Sequence, residues 1–326
     1  MKNLKRFIRF VLPLSIGFLL LYWIYKDMDF GRIGGILRSG IDYPWLLLSV
    51  FLGVLSHVLR AVRWRLLVDM LGVKSSVYML TNAVFINYGA NLLLPRLGEV
   101  ARCAFVSKKT GITFPKIFGT LVSERLVDMF LVALLVVTGF VAFSDLFNSF
   151  FAQNILWRFT SASERATPLF YGVTALVVLL LAGLSVYLYH TRFGLKVRLL
   201  LHEMWIGVKT LLLVPHKAQF YLLSISVWGV YLLQLYVCFF AFGFTCSLSF
   251  GVAIALFVMS SVAFGIPVQG GIGPWHFMII STLIYYGIER TDAAAFALIV
   301  HTLQTAVNAA TGLYAFVYSG KFNLKQ

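Results

Sequence analysis

An all-α polytopic membrane protein is the fold class this sequence predicts, on three observations. The chain of 326 residues is 60% hydrophobic and 12% charged, about half the charge of an ordinary soluble domain, with a mean hydropathy of +0.88. Long uncharged runs such as YGVTALVVLLLAGLSVYLYH, residues 171–190, approach the roughly 20 residues that cross a bilayer core as a helix. Two further apolar stretches, 75–109 and 249–288, are interrupted by Pro and Gly. The expected architecture is about six spanning helices plus two Pro/Gly-broken re-entrant hairpins, or eight spans if the second break is a pair of full helices. One integral-membrane domain covers 1–326, and no polar block is long enough for a soluble one.

The N-terminus reads MKNLKRFIRF, and its apolar continuation reaches Tyr25 without a small-residue cleavage site, which predicts a first spanning helix rather than a signal peptide. Lys and Arg concentrate in cytoplasmic loops, so Lys2, Lys5, Arg6 and Arg9 place this end inside. Residues 26–43 balance Lys26, Arg32 and Arg38 against Asp27, Asp29 and Asp42, which fits the outside. A second helix over 45–66 returns inward to Arg60, Arg63, Arg65 and Lys74.

The run SSVYMLTNAVFINYGANLLL (75–94) is followed by further cations, Lys108, Lys109 and Lys116, so both of its ends are expected inside. A helix over 77–87 is about 15 Å long, half of a bilayer core. A break across YGANLLLPRLG and a return along EVARCAFVSKK complete a re-entrant hairpin. Hydropathy alone also admits a plain spanning helix followed by a surface loop. The next helix, 117–143, goes outward to a near-neutral loop over 144–167, and 169–190 returns. The basic loop after it, with Arg192, Lys196, Arg198, Lys209 and Lys217, suits the anionic inner leaflet. A helix over 220–242 exits.

The second break gathers two prolines and four glycines between Gly265 and Pro274, and its arms are two thin spans or a second hairpin. A last helix, 293–318, ends at Lys321 and Lys325, so the C-terminus is also placed inside. Two broken segments at corresponding places in the two halves point to an inverted-repeat transporter with its site where the breaks meet.

Ionisable groups within membrane segments are functional candidates. Glu124 and Asp128 share a helix face at i, i+4, and Arg125 reaches Asp128 at i, i+3. Glu124 lies about 12 Å from the border at Lys116, level with the first break. Arg96, Arg102 and Arg125 are expected to balance Glu99, Glu124 and Asp128 there. This set either pins the hairpin to its neighbour or lends Arg96 and Arg102 to a lipid phosphate. On the last helix His301, Gln304, Asn308 and Thr311 form a polar stripe, level with Gln269; such a stripe serves either helix–helix contact or a substrate path. Asn82, Asn87 and Asn91 carry the same two readings. His276 and His301 are candidates for proton coupling.

Other classes find little support. Cys103, Cys238 and Cys246 lack metal-type spacing and read as small hydrophobes. The net charge of +15 has no soluble basic module to carry nucleic acid. There is no GxxxxGK[ST], HExxH or GxSxG. The pair Asp27 and Asp29 is read as a solvated loop rather than a metal site. No cofactor, metal or catalytic residue is expected, and the chain is not expected to be an enzyme.

Taken together, PRLGEVAR, SERLVD and the late Pro, Gly-Gly-x-Gly segment resemble the flippase-like family also called the lysylphosphatidylglycerol synthase transmembrane region. The matching positions are Pro95, Arg96, Gly98, Glu99 and Arg102; Glu124, Arg125 and Asp128; and Pro267, Gly270, Gly271 and Gly273. The resemblance implies an inner-membrane protein similar to the translocating half of the bacterial multiple peptide resistance factor, which moves aminoacylated phospholipid between leaflets. Lysyl-lipid synthesis is not carried over, because no aminoacyl-transferase domain is found. Relatives often continue G-G-x-G-x-R-E, whereas Pro274, Trp275 and His276 follow here, so the headgroup is left open. The expected function is a lipid flippase whose substrate is an anionic or modified phospholipid. Arg96, Glu99, Arg102, Glu124, Arg125 and Asp128 would serve the inner side, and Gln269, His276, His301, Gln304 and Asn308 the outer. The alternatives are an integral-membrane enzyme acting on a lipid-linked substrate and an accessory partner of a lipid-modifying enzyme. A homo-oligomer is allowed.

Overall fold

The computed structural model describes residues 15, 17, 19–26, 28–94, 96–151, 192–263 and 268–323. Asp27, Pro95, Pro267 and the helix expected over 169–190 lie outside the described residues. Among the described residues every regular element is a helix, beside one isolated bridge between Ile41 and Phe242. Four helical segments are long and apolar enough to cross a membrane: Tyr43–Leu71, Phe114–Ala142, Lys217–Ala241 and Arg290–Ser319.

Residues 19–25 are helical. The segment after them forms helix α1 (Phe30–Ser39), whose first turn is capped by the Asp29 carboxylate accepting from the Arg32 N–H at 3.0 Å. Helix α2 (Tyr43–Val68) starts with Pro44 in its first turn, where a missing N–H costs nothing. A 3-10 turn follows, and Ser76 caps helix α3 (Val77–Leu93) by accepting from the Met79 N–H.

Helix α3 is longer than the 77–87 expected: 17 residues, about 25 Å. Its glycine, Gly89, does not break it, because the missing side chain is used for packing; a Cβ there would lie 2.7 Å from the Gly312 Cα. The helix stops instead at Leu94, which is extended (φ −145°, ψ 135°), as the residue before a proline prefers. Helix α4 (Leu97–Thr110) then folds back on α3.

Helix α5 (Phe114–Ala142) follows. The loop expected over 144–167 begins as helix α6 (Ser144–Phe151), because Leu146, Phe147 and Phe150 share a face that packs on Ala255, Val258 and Met259. The basic segment after 191, expected as a loop, is helix α7 (Arg192–Leu213) packed along α5. Ser123 Oγ donates to the Val208 carbonyl at 3.2 Å, and Thr113 Oγ1 to Glu203 at 2.9 Å.

Helix α8 (Lys217–Val237) leads to the second break. Its arms are helix α9 (Phe250–Ala263) and helix α10 (Pro274–Tyr285), 14 and 12 residues long, about 21 and 18 Å against a core of about 30 Å. Pro274 occupies the first position of α10, and Gly270, Gly271 and Gly273 between the arms all have positive φ (60°, 74° and 94°), a conformation only glycine adopts without strain. Helix α11 (Arg290–Asn323) closes the chain.

Helices α2–α5 and α8–α11 form two sets of like order: long, short, short, long. α2 and α8 run antiparallel against each other, Ser49 and Gly53 meeting Gln234 while Arg63 meets Phe220. Each set's first short helix packs on the closing long helix of the other: α3 on α11 at Gly89–Gly312, and α9 on α5 at Val258–Gly139. A Cβ on Gly139 would lie 2.7 Å from Val258, so glycine permits close approach at both crossings. The tips of the two breaks meet, with Leu92 against Gly270.

Candidate functional site

Three helices build an ionic cluster inside the protein. α2 contributes Arg60 and Arg63, α4 contributes Glu99 and Arg102, and α5 contributes Glu124, Arg125 and Asp128. Glu124, with no exposed side-chain surface, takes Arg102 Nη2 at 2.6 Å on one oxygen, and Arg63 Nη2 at 2.9 Å and Arg60 Nη1 at 3.2 Å on the other. Asp128 takes Arg63 Nη1 at 2.7 Å, and Arg60 Nη1 stands 3.3 Å from its other oxygen. The Arg63 fork thus spans both carboxylates, a geometry that lysine does not reproduce. Arg125 lies 3.0 Å from Glu99 and 3.7 Å from Asp128. The Arg102 guanidinium also stacks 4.4 Å over Trp64, a cation–π contact, and Trp64 Nε1 donates to Thr120.

The balance expected from sequence changes in two ways. Arg60 and Arg63 enter the cluster, while Arg96 stays out: it is exposed at the first tip, with no ion-pair partner among the described residues. Four guanidiniums therefore face three carboxylates. The Nε of Arg60, Arg63, Arg102 and Arg125, Nη1 of Arg102 and Oδ2 of Asp128 are buried without hydrogen-bond partners. The cluster adjoins the return arm of the hairpin from its first turn, where Glu99 follows the tip. Helix α2 carries the signal that finds the missing residues: Ser56, His57, Arg60, Arg63 and Trp64 recur at helical spacing and are all buried, whereas Arg65 lies off that face and pairs with Asp69. Charge counting reads all three arginines as a border; periodicity separates them.

The first tip is built to be tight. Arg96 has φ 63°, ψ 0°, the left-handed region, which costs a non-glycine residue about 1 kcal/mol or more. The Asn91 side chain offsets it by accepting from the Gly98 N–H at 2.8 Å, capping α4. A Cβ on Gly98 would come within 1.9 Å of the Asn87 carbonyl oxygen. Asn82 Nδ2 donates to the Tyr78 carbonyl, while Oδ1 of both Asn82 and Asn87 is buried without a partner.

Polar contacts continue from the cluster toward the second tip. The Arg60 guanidinium lies 6.0 Å from the Tyr231 ring, whose hydroxyl meets that of Tyr88 at 2.9 Å. Tyr88 stacks on His57 at 4.1 Å, and His57 Nε2 pairs with Asn308 Oδ1 at 3.1 Å. One turn or two further along α11, Gln304 is half-buried without a partner among the described residues, and His301 Nε2 bonds the Gly270 carbonyl at 2.9 Å. His276 faces His301 with ring centroids 4.5 Å apart. Thr311 bonds within its own helix. Gln269 is described by its backbone in the 3-10 turn. The structure thus joins His276, His301 and Asn308 to one polar column, and adds His57, Tyr88 and Tyr231, which sequence reasoning passed over.

These features define an integral membrane protein built of paired long helices and paired broken hairpins around a buried polar column. Residues 10–312 match the family described as the lysylphosphatidylglycerol synthase TM region. The chain belongs to that family, and its role is tied to membrane lipid. It is 23% identical over 313 residues to a UPF0104 membrane protein of Methanothermobacter thermautotrophicus, covering 89% of each chain. A second UPF0104 membrane protein, PH1989 of Pyrococcus horikoshii, is 22% identical over 42% of this chain and 41% of its own length. Glycosyltransferase AglD of Haloferax volcanii is 35% identical over 81 residues, which are 24% of this chain and 13% of that protein. No solved structure matches.

Proposed function

We propose that the chain is a flippase-type transporter that carries a lipid headgroup through the polar column while the acyl chains stay in the bilayer. The observation that carries this reading is the surplus of one guanidinium in the cluster, where five guanidinium nitrogens but only one carboxylate oxygen, Asp128 Oδ2, are buried without a hydrogen-bond partner. An uncompensated buried cation is costly, and an anionic phosphate is its natural complement. Two broken segments whose tips touch, with Leu92 against Gly270, fit re-entrant hairpins entered from opposite faces, with both termini cytoplasmic and the chain in the inner membrane.

The test is purified protein in liposomes carrying headgroup-labelled phospholipids of several classes. Transbilayer movement that falls at least tenfold in Arg102→Ala, in protein that still elutes as a folded species, supports transport. Movement no faster than in protein-free vesicles for every class sinks it. Chemical conversion of the lipid would instead assign the membrane-enzyme reading that the short AglD match keeps in view.

A further inference from the structure

The pair His276 and His301 has a hydrogen-bond pattern that fixes both tautomers. The Gly270 carbonyl only accepts, so His301 Nε2, 2.9 Å away, carries a hydrogen; its bare Nδ1 faces the Thr305 hydroxyl at 3.4 Å. The Gly273 backbone N–H only donates, so His276 Nδ1, 3.4 Å away, is bare and its hydrogen is on Nε2. Both contacts go to the same short segment, the Gly270–Gly273 turn that forms the second tip. One ring ties that turn to α11; the other accepts from Gly273, the N-cap of its own helix α10, whose carbonyl also takes the Phe277 N–H at 2.9 Å.

A proton arriving at either bare nitrogen therefore has opposite mechanical effects. On His301 Nδ1 it leaves the Nε2–H bond to Gly270 in place and makes it charge-assisted, while Thr305 turns to accept. On His276 Nδ1 it sets two N–H groups against each other and breaks the contact with Gly273. Two charged imidazoles with ring centroids 4.5 Å apart repel strongly in a buried site, so one proton at most is held. Among the described residues no carboxylate pairs with either ring. Tyr25 meets His276 edge-on at 5.9 Å and is committed to the Ala294 carbonyl, and Trp275 lies against both rings. Helix α9 and residues 268–273 contain no titratable side chain. On α11 the next charged residue toward its start is Asp292, held by Arg32.

We propose that His276 and His301 form a one-proton site with two seats, and that the seat occupied decides whether the second tip is clamped to α11 or loosened at the N-cap of α10. Resting on the transport reading above, this makes the proton the ligand that couples to opening of the column at its second tip. The site itself is testable without any transport. Histidine-selective 15N NMR of the full chain in nanodiscs, from pH 8 to pH 3, is expected to show one charge shared by the two rings. In His301→Gln, whose amide still donates to Gly270, His276 becomes the sole seat and charges at a pH at least one unit higher than in the wild type. Hydrogen exchange at the Gly273 amide, corrected for intrinsic rate, is expected to speed at least fivefold on acidification in His301→Gln. In His276→Gln, which keeps an acceptor without a titrating nitrogen, it should not change. Two fully charged rings at pH 3, two rings neutral throughout, or a Gly273 response that persists in His276→Gln would each overturn the proposal. Absence of lipid movement in liposomes would overturn the transport reading and leave the two-seat site standing on its own readouts.

Discussion

At the residue scale, the ionic cluster is held by geometry more than by charge. Arg63 engages two carboxylates through two different nitrogens, so Arg63→Lys is expected to lose nearly as much stability as Arg63→Ala, about 3–5 kcal/mol for breaking a buried pair. Thermal unfolding in detergent, followed by fluorescence or by loss of the monodisperse peak, checks this. Equal melting of Arg63→Lys and wild type would show that one point charge suffices. Glu124 joins three arginines, so Glu124→Gln, which leaves four guanidiniums against two carboxylates, should destabilise more than Arg102→Ala. The pair Arg102 and Glu124 should also be coupled: the double substitution is expected to cost less than the sum of the single ones, by about 0.5–3 kcal/mol. The motif residues Glu124, Arg125 and Asp128 were legible from i, i+3 and i+4 spacing alone. Arg60 and Arg63 were not, because an arginine near a helix end is read equally as a loop marker and as an inward-facing partner until the facing carboxylates are known.

Among the elements, the first break works as a tight turn because one glycine has no side chain. With the Asn87 carbonyl oxygen 1.9 Å from where its Cβ would stand, Gly98→Ala should prevent α4 from closing on α3. Folded yield should then fall severely. Gly111→Ala is the control. Gly111 also has a positive φ, 73°, but its Cβ would meet open space, so the cost should be limited to about 1 kcal/mol. Similar losses in both variants, read by size-exclusion yield and melting temperature, would mean that φ rather than packing decides. The existence of the break was legible from PRLG, since proline disfavours helix at the residue before it. Its position was not: the helix runs through Gly89 because a partner glycine on another element meets it there, and sequence order does not reveal a partner more than 200 residues away.

For the whole molecule, the two sets of helices are joined by few polar contacts at the end bearing α1. Arg32 forms a two-pronged bond with Asp292 at 2.8 and 2.7 Å and lies 3.5 Å from Glu289. The Asp292 hydrogen bond is the main cause that raises the Arg32 pKa, so this side chain stays charged at all ordinary pH. Backbone N–H donation from Thr291, with smaller help from Asp292 N–H and Arg32, lowers the Glu289 carboxylate below its usual 4.5. A lowered folded value means that this contribution is complete above about pH 4.5 and is lost as the pH falls through the lowered value. The side chains are half-exposed, so the effect is small and screened by salt. A Glu289→Gln protein should lack that acid-side loss, as melting curves between pH 6 and pH 3 at low ionic strength would reveal. At the opposite end of the scale, tip contact predicts that Leu92→Cys and Ile272→Cys, in a background without native cysteines, are joined by a short bifunctional thiol reagent; no crosslink under conditions where single thiols react would place the tips apart.

Sequence by itself determined the membrane class, the all-α fold, the two interruptions and the motif residues on α4 and α5, because hydropathy, proline and helical spacing act locally. Only the tertiary structure decided that Arg60 and Arg63 rather than Arg96 complete the cluster, that glycines from distant helices cross in van der Waals contact, and that His276 and His301 share one turn. Those outcomes depend on which faces of separate helices meet, and burying a charge in lipid is tolerable only where the opposite charge arrives from another part of the chain.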